Sequence, residues 1–385
     1  MNNRWIAGVS CGSGAEAVDA VLLEVRSRGP SAQLRVAHSS RRFLPTELRY
    51  QLRNPTFASL PAIQTGLAEA FVQMIVPLCT SAGLLPARLL AIGTFPPTLR
   101  YEPTGKPPSL LEPATASFLA QRTGIAVVGG FRERDLHAGG LPVPASAVGD
   151  ALLWRDANED QLLIHLGGFP TLVDLPRSSG TGRVRSLETG PGNRLLDLVI
   201  GQVTGGKEWY DTGGRYAVQG RCLEPLREEL FAACLPHIAE PGTVSRTEFA
   251  GDFVDRAARR TGELGGTLED LLCTLNHLVV DCIVHGVRTH LPDEPRRVLL
   301  SGGGCRNGLL RRLIQGAFPD ARNLDIGGST DGGRMAAAAA GLAVACLDGG
   351  RMAGQWTPGS AANWANVLDW QRESVAPIRY PGRAA

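Results

Sequence analysis

The sequence predicts an α/β protein built as two successive units. Three observations carry that reading: a meander of short strands opens each half, helical periodicity follows each meander, and a glycine turn closes a strand in each half. At 385 residues the chain exceeds one small core, so two domains are expected, at 1–145 and 146–345.

Element by element, residues 4–10 form an apolar strand that ends at Cys11-Gly-Ser-Gly14. Residues 18–25 and 33–38 complete a meander. Leu60, Ile63, Leu67, Phe71 and Ile75 fall at helical spacing inside a helix expected over 56–83. A strand at 89–94, a helix at 113–123 and a strand at 125–129 follow. The second meander is read at 161–166, 169–175 and 183–188, with helices at 193–202, 222–235, 246–259 and 267–288. A strand at 297–301 and helices at 307–317 and 331–347 close the pattern, the last an alanine-rich core helix. The Gly-, Pro- and Ser-rich stretches 139–147 and 176–183 read as loops or hinges.

Bulk properties exclude several classes. Hydrophobic residues make up 43% and charged residues 20%, ordinary for a globular protein. The formal net charge of +2 implies no nucleic-acid partner. Lys106 and Lys207 are the only lysines, so the Arg content reads as codon bias. The N-terminus lacks a signal peptide's apolar core, and no run of about 18 uninterrupted apolar residues suggests a membrane span. Eight scattered cysteines without a Cys-x-x-Cys pair read as reduced thiols in a cytoplasmic protein.

The chemistry gathers at glycine. In Arg297-Val-Leu-Leu-Ser-Gly-Gly-Gly-Cys-Arg-Asn307 an apolar strand runs into Gly302, Gly303 and Gly304, and a helix starts beyond them. Without Cβ atoms these positions let a ligand lie against the backbone, and the helix N-terminus favours an anion. Asn307 is placed to cap that helix. Gly12, Ser13 and Gly14 form a small-residue turn with free amides for an anion, and Gly167-Gly168 form a second. Two phosphate loops and one adenosine loop, divided between two units, describe a nucleotide in an interdomain cleft. Each short loop alone also fits an ordinary hairpin. Glu188, at a strand end before Thr189-Gly-Pro-Gly-Asn193, is a candidate general base, and also fits a capping or salt-bridged acid.

These motifs, in this order, resemble the anhydro-N-acetylmuramic acid kinases, sugar kinases of the actin/hexokinase/Hsp70 ATPase fold. The first loop, Ser10-Cys-Gly-Ser-Gly-Ala-Glu-Ala-Val-Asp19, is similar to the family's Met-Ser-Gly-Thr-Ser-Leu-Asp-Gly-Val-Asp. Gly302-Gly-Gly-Cys-Arg-Asn307 and Thr189-Gly-Pro-Gly-Asn193 with Asp197 resemble its adenosine loop and acidic loop. Residues 121–132, Arg134, Asp135 and 138–140 resemble the segment lining its sugar cleft, and 210–220 another family signature. The resemblance implies two ribonuclease-H-like domains with an interdomain nucleotide cleft, and residues 346–385 returning to the first domain. It implies hydrolysis of a 1,6-anhydro ring coupled to phosphorylation at O6, with ATP and Mg²⁺. Glu188 would then be the base and Asp19 or Glu16 would lie near the metal. Thr98, Arg100, Arg132, Gly190 and Asn193 would face a small-molecule sugar, and a homodimer is admitted.

The departures fall mostly on the sugar side. The family's His-Gly-Gln-Thr reads Phe95-Pro-Pro-Thr98, and its Gly-Asp-Pro reads Leu111-Glu-Pro113. Glu188 replaces the family's Asp, Asn-Ile-Gly-Gly reads His165-Leu-Gly-Gly168, and Asp331 alone survives from Ala-Asp-Ala-Lys-Glu-Ala. Three readings stay open: a kinase for the usual sugar, a kinase with another acceptor, and a catalytically silent nucleotide-binding protein that acts as a regulator or partner. His277, Asp281 and His285 recur every four residues on one helix, spacing that fits a metal but equally a polar helix face. His137 is a modest substrate-contact candidate. Cys11 and Cys305 lie in nucleotide loops, where small-residue packing is the simpler account of both.

Overall fold

The computed structural model describes residues 3–29, 32–102, 109–137, 146–179, 184–239, 244, 249, 251–291, 295, 297–327, 332–349, 351–352, 368–369 and 379–380. Asp331, residues 138–140 and the side chains of Asp135 and His137 lie outside the described residues, as do parts of the stretches 139–147, 176–183 and 246–259. The chain divides into two compact units: 1–155 with 180–184 and 325–385, and 156–179 with 185–324.

The first unit is built on β1 (Arg4–Cys11), β2 (Ala17–Arg26) and β3 (Gln33–Phe43), an antiparallel meander. β4 (Leu89–Phe95) lies parallel on the other side of β1, followed by β7 (Val127–Val128) and the antiparallel β15 (Arg379–Tyr380). The sheet order is β15-β7-β4-β1-β2-β3. Around it lie α1 (Thr46–Arg53), α2 (Leu60–Ser81), α3 (Ala116–Thr123), α4 (Phe131–His137), α5 (Ser146–Trp154) and α11 (Arg334–Leu347). A small hairpin pairs β5 (Arg100–Glu102) with β6 (Ser109–Leu111), and β13 (Arg351–Met352) pairs with β14 (Leu368–Asp369).

Side chains alternate across β1. Ala7, Val9 and Cys11 face a core shared with Ile63, Leu67 and Phe71 of α2. Gly8 faces the other way, where α11 comes so close that a Cβ would stand 1.9 Å from the Ala336 carbonyl oxygen. A Cβ on Gly93 would stand 2.1 Å from the Ala339 oxygen, and one on Gly149 2.4 Å from Ala338 Cα. Small residues on sheet and helices therefore set backbone against backbone. This packing draws α5 and α11 into the first unit, whereas the sequence reading assigned 146–345 to the second. At the start of α11 the buried Arg334 pairs with the buried Asp150 and donates to Ser146 Oγ at 3.3 Å.

The second unit repeats the plan. β8 (Gln161–His165), β9 (Thr171–Leu175) and β10 (Arg185–Glu188) form the meander, with β11 (Arg297–Ser301) parallel to β8 and β12 (Arg322–Asn323) parallel to β11. The order β10-β9-β8-β11-β12 matches β3-β2-β1-β4-β7 strand for strand. The helices are α6 (Asn193–Val203), α7 (Glu224–Ile238), α8 (Gly251–Glu263), α9 (Leu268–His290) and α10 (Gly308–Ala317). Leu162, Ile164, Leu172, Leu187 and Leu300 form one face of the sheet and pack with Val279 and Ile283 of α9 and Leu310 and Ile314 of α10. Thr267 and Asp270 form a capping box at the start of α9. The segments Phe57–Ser81 and Leu268–His290 are long and apolar enough to cross a membrane by length and composition, yet Leu67 and Phe71 lie in one core and Leu275 and Leu278 in the other.

Candidate active site

In the second unit three glycine segments meet through main-chain hydrogen bonds. Gly304 N–H donates to the Leu166 carbonyl at 3.0 Å, and Leu166 N–H donates to the Ser301 carbonyl at 2.7 Å. Gly192 and Arg194 N–H donate to the Gly168 carbonyl at 3.1 and 3.2 Å, and Asn193 N–H to the Gly167 carbonyl at 3.0 Å. Asn193 Nδ2 also donates to the Leu166 carbonyl at 2.9 Å. Residues 166–168, 190–193 and 302–304 thus form one junction, at the ends of β8, β10 and β11.

The glycines here do different jobs. Gly302 has φ +95°, and its Cβ would stand 2.7 Å from the Leu166 oxygen. A Cβ on Gly304 would stand 2.7 Å from Leu166 Cβ. These two exist for the junction itself. A Cβ on Gly303 meets nothing nearer than Arg306 Nη2 at 3.6 Å, so its lack of a side chain leaves open space. Gly190, at φ +114°, makes the turn after Glu188.

Asn307 caps α10: its Oδ1 accepts from Leu309 and Leu310 N–H, both at 3.1 Å. Its Nδ2 donates to Asn276 Oδ1 at 3.0 Å, and Gly214 covers it so closely that a Cβ there would stand 2.4 Å from Oδ1. The side chain is committed to the cap and to Asn276.

Glu188 ends β10 and is 9% exposed. Its Oε2 accepts the Val244 N–H at 2.9 Å, which orients the carboxylate. Beside it, Thr189 Oγ1 is buried with no hydrogen-bond partner among the described residues. A buried hydroxyl of this kind fits a polar ligand.

In the first unit Gly12, Ser13 and Gly14 turn β1 into β2, and Ala15 N–H closes the turn on the Gly12 carbonyl at 2.9 Å. A Cβ on Gly12 or Gly14 would meet nothing within 4 Å. Arg53 Nε donates to the Gly14 carbonyl at 2.8 Å. Ser10 is buried and its Oγ has no partner among the described residues. Asp19 and Glu16 share Arg41, at 3.8 and 2.9 Å. The guanidinium already supplies the positive charge that Mg²⁺ would bring, so this pair does not fit a direct metal cage. No group of three metal-ligating side chains occurs among the described residues.

Among the residues that the resemblance assigns to the sugar, Thr98 Oγ1 donates to Glu112 Oε1 at 3.0 Å, and Arg132 pairs with the same carboxylate. Arg132 Nη1 also donates to the Pro96 carbonyl at 3.1 Å, and its guanidinium lies 4.7 Å from the centre of the Phe95 ring. Phe95 is buried against Phe131, centroids 5.0 Å apart. Arg100 pairs instead with Glu102 at 3.0 Å, and its side chain is 75% exposed.

The other candidates resolve as structure. Arg227 grips Asp281 with two hydrogen bonds of 2.7 Å, and His285 sets its ring edge-on to Phe231. Burial is the main cause that pushes His277 and His285 below the usual imidazole range. Burial pushes the Cys11 thiol up to about 12, consistent with packing rather than reactivity. Sequence reasoning missed Arg41 and Glu112 as partners of the candidate residues, because both pairings need the strand register or a contact across the fold.

Comparison with known proteins identifies the family. The sequence profile of the anhydro-N-acetylmuramic acid kinases matches residues 4–364. The chain is 28% identical over 345 residues to the anhydro-N-acetylmuramic acid kinase of Caldanaerobacter subterraneus subsp. tengcongensis, covering 85% of this chain and 87% of that one. It is 29% identical over 325 residues to that of Trichormus variabilis, covering 80% and 82%. That of Gloeobacter violaceus is 28% identical over 330 residues, with 84% and 86% covered. The chain belongs to the anhydro-N-acetylmuramic acid kinase family, whose members are ATP-dependent phosphotransferases.

Proposed function

We propose that this protein is an ATP-dependent sugar kinase whose acceptor differs from the family's usual anhydro amino sugar. The observation that carries the reading is the hydrogen-bonded junction of residues 166–168, 190–193 and 302–304 with Glu188 at its edge. In this reading the main chain of 302–304 receives adenosine, Gly167 and Gly168 the β-phosphate, and Gly12, Ser13 and Gly14 the γ-phosphate. Mg²⁺ bound with the nucleotide would neutralise phosphate charge, and Asp19 would hold its hydration shell.

Glu188 takes the proton of the attacking water or hydroxyl. The Val244 amide holds Oε2 and so orients the carboxylate for that role. Glu112 at a second family Asp position also has partners, Thr98 and Arg132. Both acids keep their charge type with longer reach, which supports retained acid–base chemistry. Phe95 offers an aromatic face to Arg132 where the family offers an imidazole. A sugar that relied on that imidazole loses a polar contact, and loss of a hydrogen-bonding partner discriminates strongly between acceptors.

A labelled-ATP transfer assay against anhydro sugars, amino sugars and neutral hexoses tests the proposal. The expected result is transfer to one acceptor class, abolished in Glu188→Gln. Nucleotide binding without transfer to any acceptor would establish instead the silent, regulatory homologue.

A further inference from the structure

A polar cluster in the first unit has its charges cancelled. Phe95 ends β4, Pro96 and Thr98 come just after it, Glu112 follows β6, and Arg132 lies in the first turn of α4. Glu112 is one methylene longer than the aspartate of the family pattern. Its Oε1 accepts from Thr98 Oγ1 at 3.0 Å and from Arg132 Nη1. Among the described residues no hydrogen bond reaches Oε2. The side chains of Arg132 and Glu112 are 15% and 10% exposed, so the pair is shielded but still reached by solvent.

Arg132 is fixed on further sides. Nη1 also donates to the Pro96 carbonyl at 3.1 Å, the guanidinium lies 4.7 Å from the centre of the Phe95 ring, and that ring is wedged against Phe131. A cation paired in this way offers an anionic ligand little net attraction, because the carboxylate beside it repels at nearly the same distance. A ligand carboxylate placed here would also give up its hydration without an unshared positive charge to offset the loss. A hydroxyl meets neither obstacle, and it can donate to Oε2 in a charge-assisted hydrogen bond. Arg100, the other cation that the resemblance assigns to the sugar, is likewise paired, with Glu102 at 3.0 Å.

We propose that Glu112 is a sugar contact that sets the charge of the acceptor. Its Oε2 accepts a hydrogen bond from an acceptor hydroxyl, and by neutralising Arg132 it favours an uncharged sugar over one that carries a carboxylate, such as a muramic acid. The assignment rests on the sugar-kinase reading and names the acceptor class within it.

The test measures kcat/KM with labelled ATP and the full chain for 1,6-anhydro-N-acetylmuramic acid and its methyl ester, and for the open-ring acid and its methyl ester. Each ester keeps the bulk of its acid and removes the charge. The expected result is that the wild type uses the ester of at least one pair about tenfold better than the acid, or more. Glu112→Gln, which leaves the guanidinium without its counter-charge, should lower that ester-to-acid ratio about tenfold, and Arg132→Gln, which leaves the carboxylate alone, should raise it. Damage to the fold would depress acid and ester together and leave the ratio in place, and thermal melts confirm folding of both variants. A wild-type preference for the acid, or the same ratio in the wild type and a folded Glu112→Gln, would overturn the assignment and leave the kinase reading standing. The wild-type comparison needs no variant. Transfer to none of the four would also overturn it; the kinase reading survives that result if neutral hexoses are phosphorylated in the same assay, and falls with it if they are not.

Discussion

At the scale of single residues, the glycines of the 302–304 turn separate a folding requirement from a binding one. Gly302→Ala forces a side chain into a positive-φ position and against the Leu166 oxygen. It should destabilise the protein by about 1–3 kcal/mol, seen as a shift in a urea midpoint. Gly303→Ala meets open space and needs no unusual backbone angle, so stability should hold while nucleotide affinity falls at least several-fold in calorimetry. Equal nucleotide affinity in Gly303→Ala and the wild type would remove the close approach of a ligand at this turn. For the proposed base, Glu188→Gln keeps an oxygen for the Val244 amide and removes the candidate proton acceptor. Turnover should fall about 10²–10⁴-fold with the fold intact. Glu188→Asp restores the family's residue, and the ratio of its activity on an anhydro sugar to that of the wild type measures how far the longer arm has retuned the site.

At the scale of elements, two helix starts bear distinct loads. Asn307 caps α10 and binds Asn276 on α9, so Asn307→Ala removes the cap and leaves a buried amide oxygen without its donor. About 1–3 kcal/mol should be lost in thermal or urea unfolding. At α11 the first helical residue is a buried arginine, where the helix dipole disfavours a cation, and Asp150 compensates it. Burial is the largest cause that raises the Asp150 carboxyl from 3.8 to about 6, with Arg334 opposing. The folded state then binds more protons than the unfolded one between those values, so this group's contribution to stability declines as pH rises from about 4 to about 6, and is constant above. Arg334→Met leaves the charge unpaired and should cost about 3–5 kcal/mol at pH 7.5. Its cost at pH 5 should be smaller, because there the carboxyl can stay protonated, and urea titrations at the two pH values check the difference.

At the scale of the molecule, two units with separate apolar cores predict that unfolding is not two-state. Phe71→Ala, in the first core, should lower one urea transition by about 3–5 kcal/mol and leave the other in place. A single transition displaced as a whole would contradict independent cores. Much of this plan was legible in the sequence, because strand alternation, the helical spacing of Leu60 to Ile75 and the Asn307 cap are local signals. The two glycine loops of the second unit were legible as loops, and their mutual hydrogen bonds were not. Arg41, bridging Glu16 and Asp19, depends on register between β2 and β3, which no spacing discloses. Arg334 and Asp150 are 184 positions apart, and so the membership of α5 and α11 in the first unit emerged only from packing.

The approach of α11 to Gly8 and Gly93 has a further consequence. Side-chain contacts can be retuned gradually, one methyl at a time, because rotamers yield. Here main chain rests on main chain, and no rotamer exists to absorb an added atom. Even alanine at position 8 or 93 has to lift the whole helix, and with it Gly332 just before it, where a Cβ would stand 2.7 Å from Asp19 Oδ1. In a saturation library these two sites should therefore tolerate a single residue type.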